Sequence, residues 1–178
     1  ERFVFADQAE VAVEIDPRIF TPEQATAMAA AGVNRASLGV QDFAAEVQAA
    51  INRIQPFEQT AATVAALRQA GIDDLSFDLL YGLPRQTAAS LVATVDQALE
   101  LEPDRISLFG YAHVPWMRKH QALMDESALP GAAARLELYQ AASGRLVERG
   151  FSAIGIDHSR GMLRLAGEEY GTGAYVQA

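Results

Sequence analysis

The feature that most constrains this chain is a unit that recurs along it. A short apolar run leaves on polar residues, and a segment long enough to be a helix follows. The clearest case is Asn34-Arg35-Ala36-Ser37-Leu38-Gly39-Val40-Gln41-Asp42-Phe43. Ala36, Leu38 and Val40 share one face, and Gln41 and Asp42 stand at the exit, as in a buried strand that delivers polar groups to an open end. A helical segment is expected next, with Arg53 on it. The same pattern is read at Val11–Asp16, Leu75–Pro84, Arg105–His113 and Phe151–His158. Helices fill the intervals. One starts at Thr21-Pro22-Glu23-Gln24, a hydroxyl cap with proline at the first helical position, and runs to Gly32. Others span Phe57–Ala70, the stretch after Thr87 up to Pro103-Asp104, and Ala132–Glu148, with stops at Gly71 and Gly150.

Strand and helix in strict alternation imply right-handed βαβ units and a parallel sheet, hence an α/β fold. Two layouts fit: a barrel-like (β/α) wall or an open doubly wound sheet. No Gly-x-Gly-x-x-Gly or Walker loop is present, which weakens the nucleotide-binding open sheet. The 178 residues are half hydrophobic, enough for a sizeable core. A net charge of −9 argues against nucleic acid or an anionic membrane as partner. No apolar run is long enough to span a bilayer, and a soluble, cytoplasmic protein is the expectation. With no cysteine, the chain offers neither disulfides nor thiolates for a metal or iron–sulfur cluster, and no metal ligands are expected.

Parallel strands bring their C-terminal ends to one face, where sites of such folds are built. Glu14, Gln41, Asp78, Tyr111 with His113, and Asp157 with His158 come from successive strands. Carboxylates and an amide suit the hydroxyls and amines of a small polar ligand, and Arg53 suits a ligand carboxylate. Each has a structural alternative. Glu14 or Asp78 could pair with a buried arginine or cap a helix. His113 and His158 read as satisfied core or edge histidines, and Trp116 as packing. Asp157-His158 lacks the companions of a hydrolase triad or a metal pair.

Five segments in order carry a family resemblance: Glu14-Ile15-Asp16-Pro17-Arg18; Gly39-Val40-Gln41-Asp42-Phe43 with Glu46-Val47-Gln48 and Asn52-Arg53; Asp78-Leu79-Leu80-Tyr81-Gly82-Leu83-Pro84-Arg85-Gln86-Thr87; Tyr111-Ala112-His113-Val114-Pro115-Trp116; and Asp157-His158. Over residues 1–158 the chain resembles the oxygen-independent coproporphyrinogen III oxidases, radical S-adenosylmethionine enzymes of haem biosynthesis. The resemblance implies part of an incomplete (β/α)₆ barrel. It also implies that Glu14, Gln41, Arg53 and Asp78 bind S-adenosylmethionine, with Ala112 contacting it by its backbone. In that family a reduced [4Fe–4S] cluster cleaves the cofactor to a 5′-deoxyadenosyl radical. The radical takes hydrogen from a propionate of coproporphyrinogen III, and carbon dioxide and an electron leave a vinyl group. Two rounds give protoporphyrinogen IX.

The chain departs from the family in lacking the three-cysteine cluster loop. The expectation is therefore a portion of the enzyme that has no radical activity alone. Residues 159–178 match nothing in the family and read as loop or disorder. Two alternatives stand beside the oxidase. One is the related haem chaperones, which usually read Gln-Ser and Gly-Arg where this chain has Gln41-Asp42 and Asn52-Arg53. The other is a non-catalytic remnant.

Overall fold

The structure is a computed structural model that describes residues 6, 8–152, 155–156 and 175–176. Its centre is a four-stranded parallel sheet of β1 (Ala12–Ile15), β2 (Arg35–Gln41), β3 (Asp74–Tyr81) and β4 (Arg105–Gly110), adjacent in sequence order. Between them run α1 (Pro22–Ala30), α2 (Ala45–Ala50), α3 (Phe57–Gln69) and α4 (Ala88–Glu100), and α5 (Ala132–Glu148) follows β4 after two short 3₁₀ turns.

The strand order chooses between the two layouts. A doubly wound sheet reverses its order at a switch point and carries helices on both faces. Here the order never reverses. The apolar positions of the strands have one parity: Ala36, Leu38 and Val40 on β2, and Leu75, Phe77 and Leu79 on β3. They pack with Val64 and Leu67 of α3, Leu91, Val95 and Ala98 of α4, and Leu138 and Ala142 of α5. The opposite parity is polar or small at Ser37 and Gly39, Ser76 and Asp78, and Ser107, and turns apolar only toward the strand ends with Leu80 and Phe109. One sheet face lies under helices and the other is hydrophilic, as in the wall of a barrel whose lumen holds a site.

Local sequence explains the helix starts. Thr21 and Gln24 form a capping box on α1, and Thr87 and Ser90 form one on α4. The fifth predicted strand does not extend this sheet. Its described part, β5 (Gly155–Ile156), pairs in parallel with β6 (Tyr175–Val176) as a separate two-stranded sheet. The 21-residue exit from β4 and the whole of α5 intervene before it. Asp157, His158 and most of the tail read as loop or disorder lie outside the described residues. No helix among the described residues is long and apolar enough to cross a membrane.

Candidate functional site

The hydrophilic sheet face carries a polar strip across four strands. Glu14 sits opposite Ser37 in the β1–β2 register, and Asp78 sits opposite Gly39 on one side and Ser107 on the other. Ser37 Oγ donates to Asp78 Oδ2 at 3.2 Å. Asp78 is half-buried, and burial pushes its carboxyl above the usual range. The Ser37 and Ser107 hydroxyls pull it back down, while the neighbouring Glu14 charge pushes it up again. Two acids repelling each other in a partly dry strip favour a ligand that brings positive charge or hydroxyl donors between them. Among the described residues neither Glu14 nor Asp78 is paired with an arginine, and neither caps one of the α-helices.

Gln41 owes its place to an irregular strand end. The β2–β3 register slips between Gly39 and Gln41, and Gln41 has a left-handed φ of 70°. A non-glycine residue there costs about 1–3 kcal/mol and persists only where neighbours over-determine it. Asp42 supplies that constraint. It is 1% exposed, and its carboxylate accepts from Ala44 N (2.6 Å), Thr94 Oγ1 (2.9 Å) and Gln86 Nε2 (2.6 Å). Burial raises its pKa, and these three donors hold it down. Asp42 is thus an anchor that turns Gln41 out of the strand.

Arg53 does not lie on a helix, contrary to the expectation. α2 ends at Ala50, after which Asn52 takes a left-handed φ of 53° and the Arg53 amide returns to the Gln48 carbonyl at 2.9 Å. This Schellman-type stop throws Arg53 back toward the sheet. Buried amides secure the loop: Gln48 Nε2 donates to Asp42 O and Gln55 O, and Gln55 Nε2 to Gly39 O and Thr60 Oγ1. The Arg53 guanidinium donates to both carboxylate oxygens of Asp16 (3.2 and 3.3 Å) and to Gly39 O (2.8 Å). Burial lowers its pKa and Asp16 raises it again. Asp16 also takes Arg18, the larger cause of a carboxyl held at about 2.

Gly39 is the meeting point. A Cβ there would lie 3.3 Å from Gln41 Nε2 and 3.4 Å from Arg53 Nη2. Gly39 is also the register partner of Asp78, which is coupled to Glu14. The structure therefore brings Glu14, Gln41, Arg53 and Asp78 to one end of β1–β3. Among the described residues, two buried side-chain polar atoms lack a partner: Arg53 Nε and Gln55 Oε1. Both belong to the loop beside Gly39.

Ala112 lies past the end of β4, which stops at Gly110, not His113. Its carbonyl accepts from Gln121 Nε2 (3.1 Å), and Gln121 Oε1 accepts from Val114 N (2.6 Å). The side-chain amide of Gln121 thus does what a neighbouring strand would do. His113 is satisfied, as read: Nδ1 meets Tyr111 Oη at 3.2 Å and Nε2 meets Glu126 at 3.1 Å. Trp116 is not packed. It is 77% exposed in the turn after Pro115, outside both apolar clusters. Sequence reasoning missed Ser37, Ser107 and Asp16. Ser37 could have been found from its parity with Gly39, and Asp16 from its place beside Glu14.

The sequence signature described as the Radical SAM superfamily matches residues 2–98, more than half of the chain. The oxygen-independent coproporphyrinogen III oxidase of Bradyrhizobium diazoefficiens is 54% identical over 158 residues, covering 89% of this chain and 35% of that protein. Its counterpart in Cereibacter sphaeroides is 51% identical over 154 residues, covering 86% and 34%. Among solved structures, coproporphyrinogen III oxidase (HemN) from Escherichia coli, described as a radical SAM enzyme, superposes with a TM-score of 0.82 at 32% identity, over 99% of this chain and 44% of that one. The chain spans about a third of the length of the curated relatives it matches.

Proposed function

The chain belongs to the Radical SAM superfamily, and from that premise we propose that it forms the cofactor-holding wall of an oxygen-independent coproporphyrinogen III oxidase. The observation that carries the reading is the convergence at Gly39 of Gln41, an under-satisfied Arg53 and the Glu14–Asp78 strip. The donor set fits S-adenosylmethionine. Arg53 Nε, buried without a partner, would donate to the amino-acid carboxylate. Glu14 and Asp78 would accept from the amino group and ribose hydroxyls, and the sulfonium charge would relieve their repulsion. Gln41 offers both a donor and an acceptor. The Ala112 carbonyl is taken by Gln121, which leaves its N–H to meet the ligand.

When bound and reduced, S-adenosylmethionine supplies a carbon radical able to take hydrogen from a propionate side chain. The chain's own part is to orient that cofactor and keep water from it. The [4Fe–4S] cluster does not fit these 178 residues, which contain no cysteine to hold it.

The test is a chimera in which this chain replaces the matching segment of the Bradyrhizobium diazoefficiens relative. It should convert coproporphyrinogen III to protoporphyrinogen IX anaerobically, and Asp78→Asn should abolish the conversion. A folded chimera that binds S-adenosylmethionine without decarboxylating the substrate contradicts the proposal. If that chimera instead gives a Soret shift with haem, the haem-chaperone reading replaces it.

A further inference from the structure

The half-buried arginines of the described residues have evident partners, with one exception. Arg18 and Arg53 meet Asp16, Arg35 meets Glu10, and Arg145 meets Asp96. Arg68 donates to the carbonyls of Leu101 and Glu102. The side chain of Arg135, on the first turn of α5, makes no hydrogen bond or ion pair among the described residues; its guanidinium lies against a ring face. Its Cζ lies 5.7 Å from the centroid of Tyr81.

The guanidinium is held there by shape. A Cβ on Gly82 would fall 2.5 Å from Nη1, and one on Gly110 would fall 3.2 Å from Nη2. Gly82 also has a φ of +86°. Two glycines just past or at the ends of neighbouring strands β3 and β4 therefore leave a slot that the guanidinium shares with the Tyr81 phenol. The slot constrains the cation and supplies no anion. A guanidinium has five N–H donors and no acceptor, and its planar fork matches a carboxylate in two parallel bonds. The chain's net charge of −9 repels a polyanion, so a fixed, unneutralised cation near the strand ends offsets that repulsion where it matters. Next to Gly110, Phe109 is 54% exposed, and Trp116 is 77% exposed on the loop that follows. Arg135, Phe109 and Trp116 thus lie on segments that meet at the C-terminal ends of β3 and β4, and a cation with exposed apolar side chains at one rim suits an apolar ring bearing carboxylates.

We infer that Arg135 receives a propionate carboxylate of the porphyrinogen substrate at the ends of β3 and β4. The inference rests on the oxidase reading above and adds to it a substrate contact on the chain's own surface. Arg135 touches the part of the substrate that is recognised; the cofactor contacts are other residues.

The experiment is a fluorescence titration of the chain with coproporphyrin III, the stable oxidised counterpart of the substrate. Its tetramethyl ester, the same ring with every carboxylate masked, serves as control. Arg135→Gln should weaken coproporphyrin binding about tenfold, the loss of one charge-assisted contact, and Arg135→Lys should weaken it less. The ester should bind the native chain and Arg135→Gln alike. Equal coproporphyrin affinity in the native chain and Arg135→Gln overturns the inference and leaves the oxidase reading standing. A native chain that binds S-adenosylmethionine but neither porphyrin overturns the oxidase reading, and the inference with it.

Discussion

Asp16 is the counter-charge that fixes Arg53, and replacing it by asparagine measures how firmly. Its carboxylate accepts from Arg18 Nη2 at 2.6 Å, Arg18 Nε at 3.0 Å and Arg18 N at 3.1 Å, besides the two contacts from Arg53. Together they lower the carboxyl from 3.8 to about 2. At about 1.36 kcal/mol per pH unit that drop corresponds to a ceiling of about 2.4 kcal/mol. The side chain is 28% exposed, and solvent screening reduces the figure to about 1–1.5 kcal/mol. The folded value lies below the unfolded one, so this stability is present above pH 3.8 and is lost as the pH falls toward 2. Urea unfolding of the native chain and Asp16→Asn between about pH 7 and pH 2.5 reads the difference directly. The two should differ by about 1–1.5 kcal/mol at neutral pH and converge in acid. No difference at neutral pH, or one of constant size down to pH 2.5, would refute the assignment of the lowered carboxyl to its arginines.

Gln121→Ala removes two hydrogen bonds from the β4 exit. It should cost about 1–3 kcal/mol and speed hydrogen exchange at the Val114 amide. Gly39→Ala presses on the ends of two flexible side chains, so it should lower stability by less than about 1 kcal/mol while weakening S-adenosylmethionine several-fold in a titration. Anaerobic reconstitution of the 178-residue chain with iron and sulfide should yield no 5′-deoxyadenosine, because the chain has no cysteine; product above background, assayed by chromatography, contradicts that.

The strand–helix alternation was legible because each element announces itself locally. Thr21 and Thr87 start helices through side-chain caps that a sequence displays, and Leu38, Phe77 and Leu91 lie on faces set by simple periodicity. The winding direction was not legible, since both layouts use the same local signals; the strand order decided for a barrel wall. Gln41 could be singled out as a polar residue ending an apolar run, and Asp78 as a carboxylate set within one. What escaped was anything set by a backbone reversal or a distant partner. Arg53 reads as helical because an asparagine occurs inside helices as well as at their left-handed ends, so Asn52 alone does not mark the stop. Asp42 looked like another exposed exit residue, yet Thr94 and Gln86, some 50 residues on, make it a buried anchor. The fifth strand has a good apolar pattern, but pairing with Tyr175–Val176 is a non-local choice that its sequence does not encode.

The most direct measurement is calorimetric titration of S-adenosylmethionine into the chain, the Asp78→Asn variant and the Arg53→Lys variant, with thermal unfolding of each as a control for folding. Saturable binding to the native chain and a loss of about tenfold or more in each folded variant are expected. Variants that fold and bind as tightly as the native chain would contradict that expectation, and so would a folded native chain that takes up no S-adenosylmethionine.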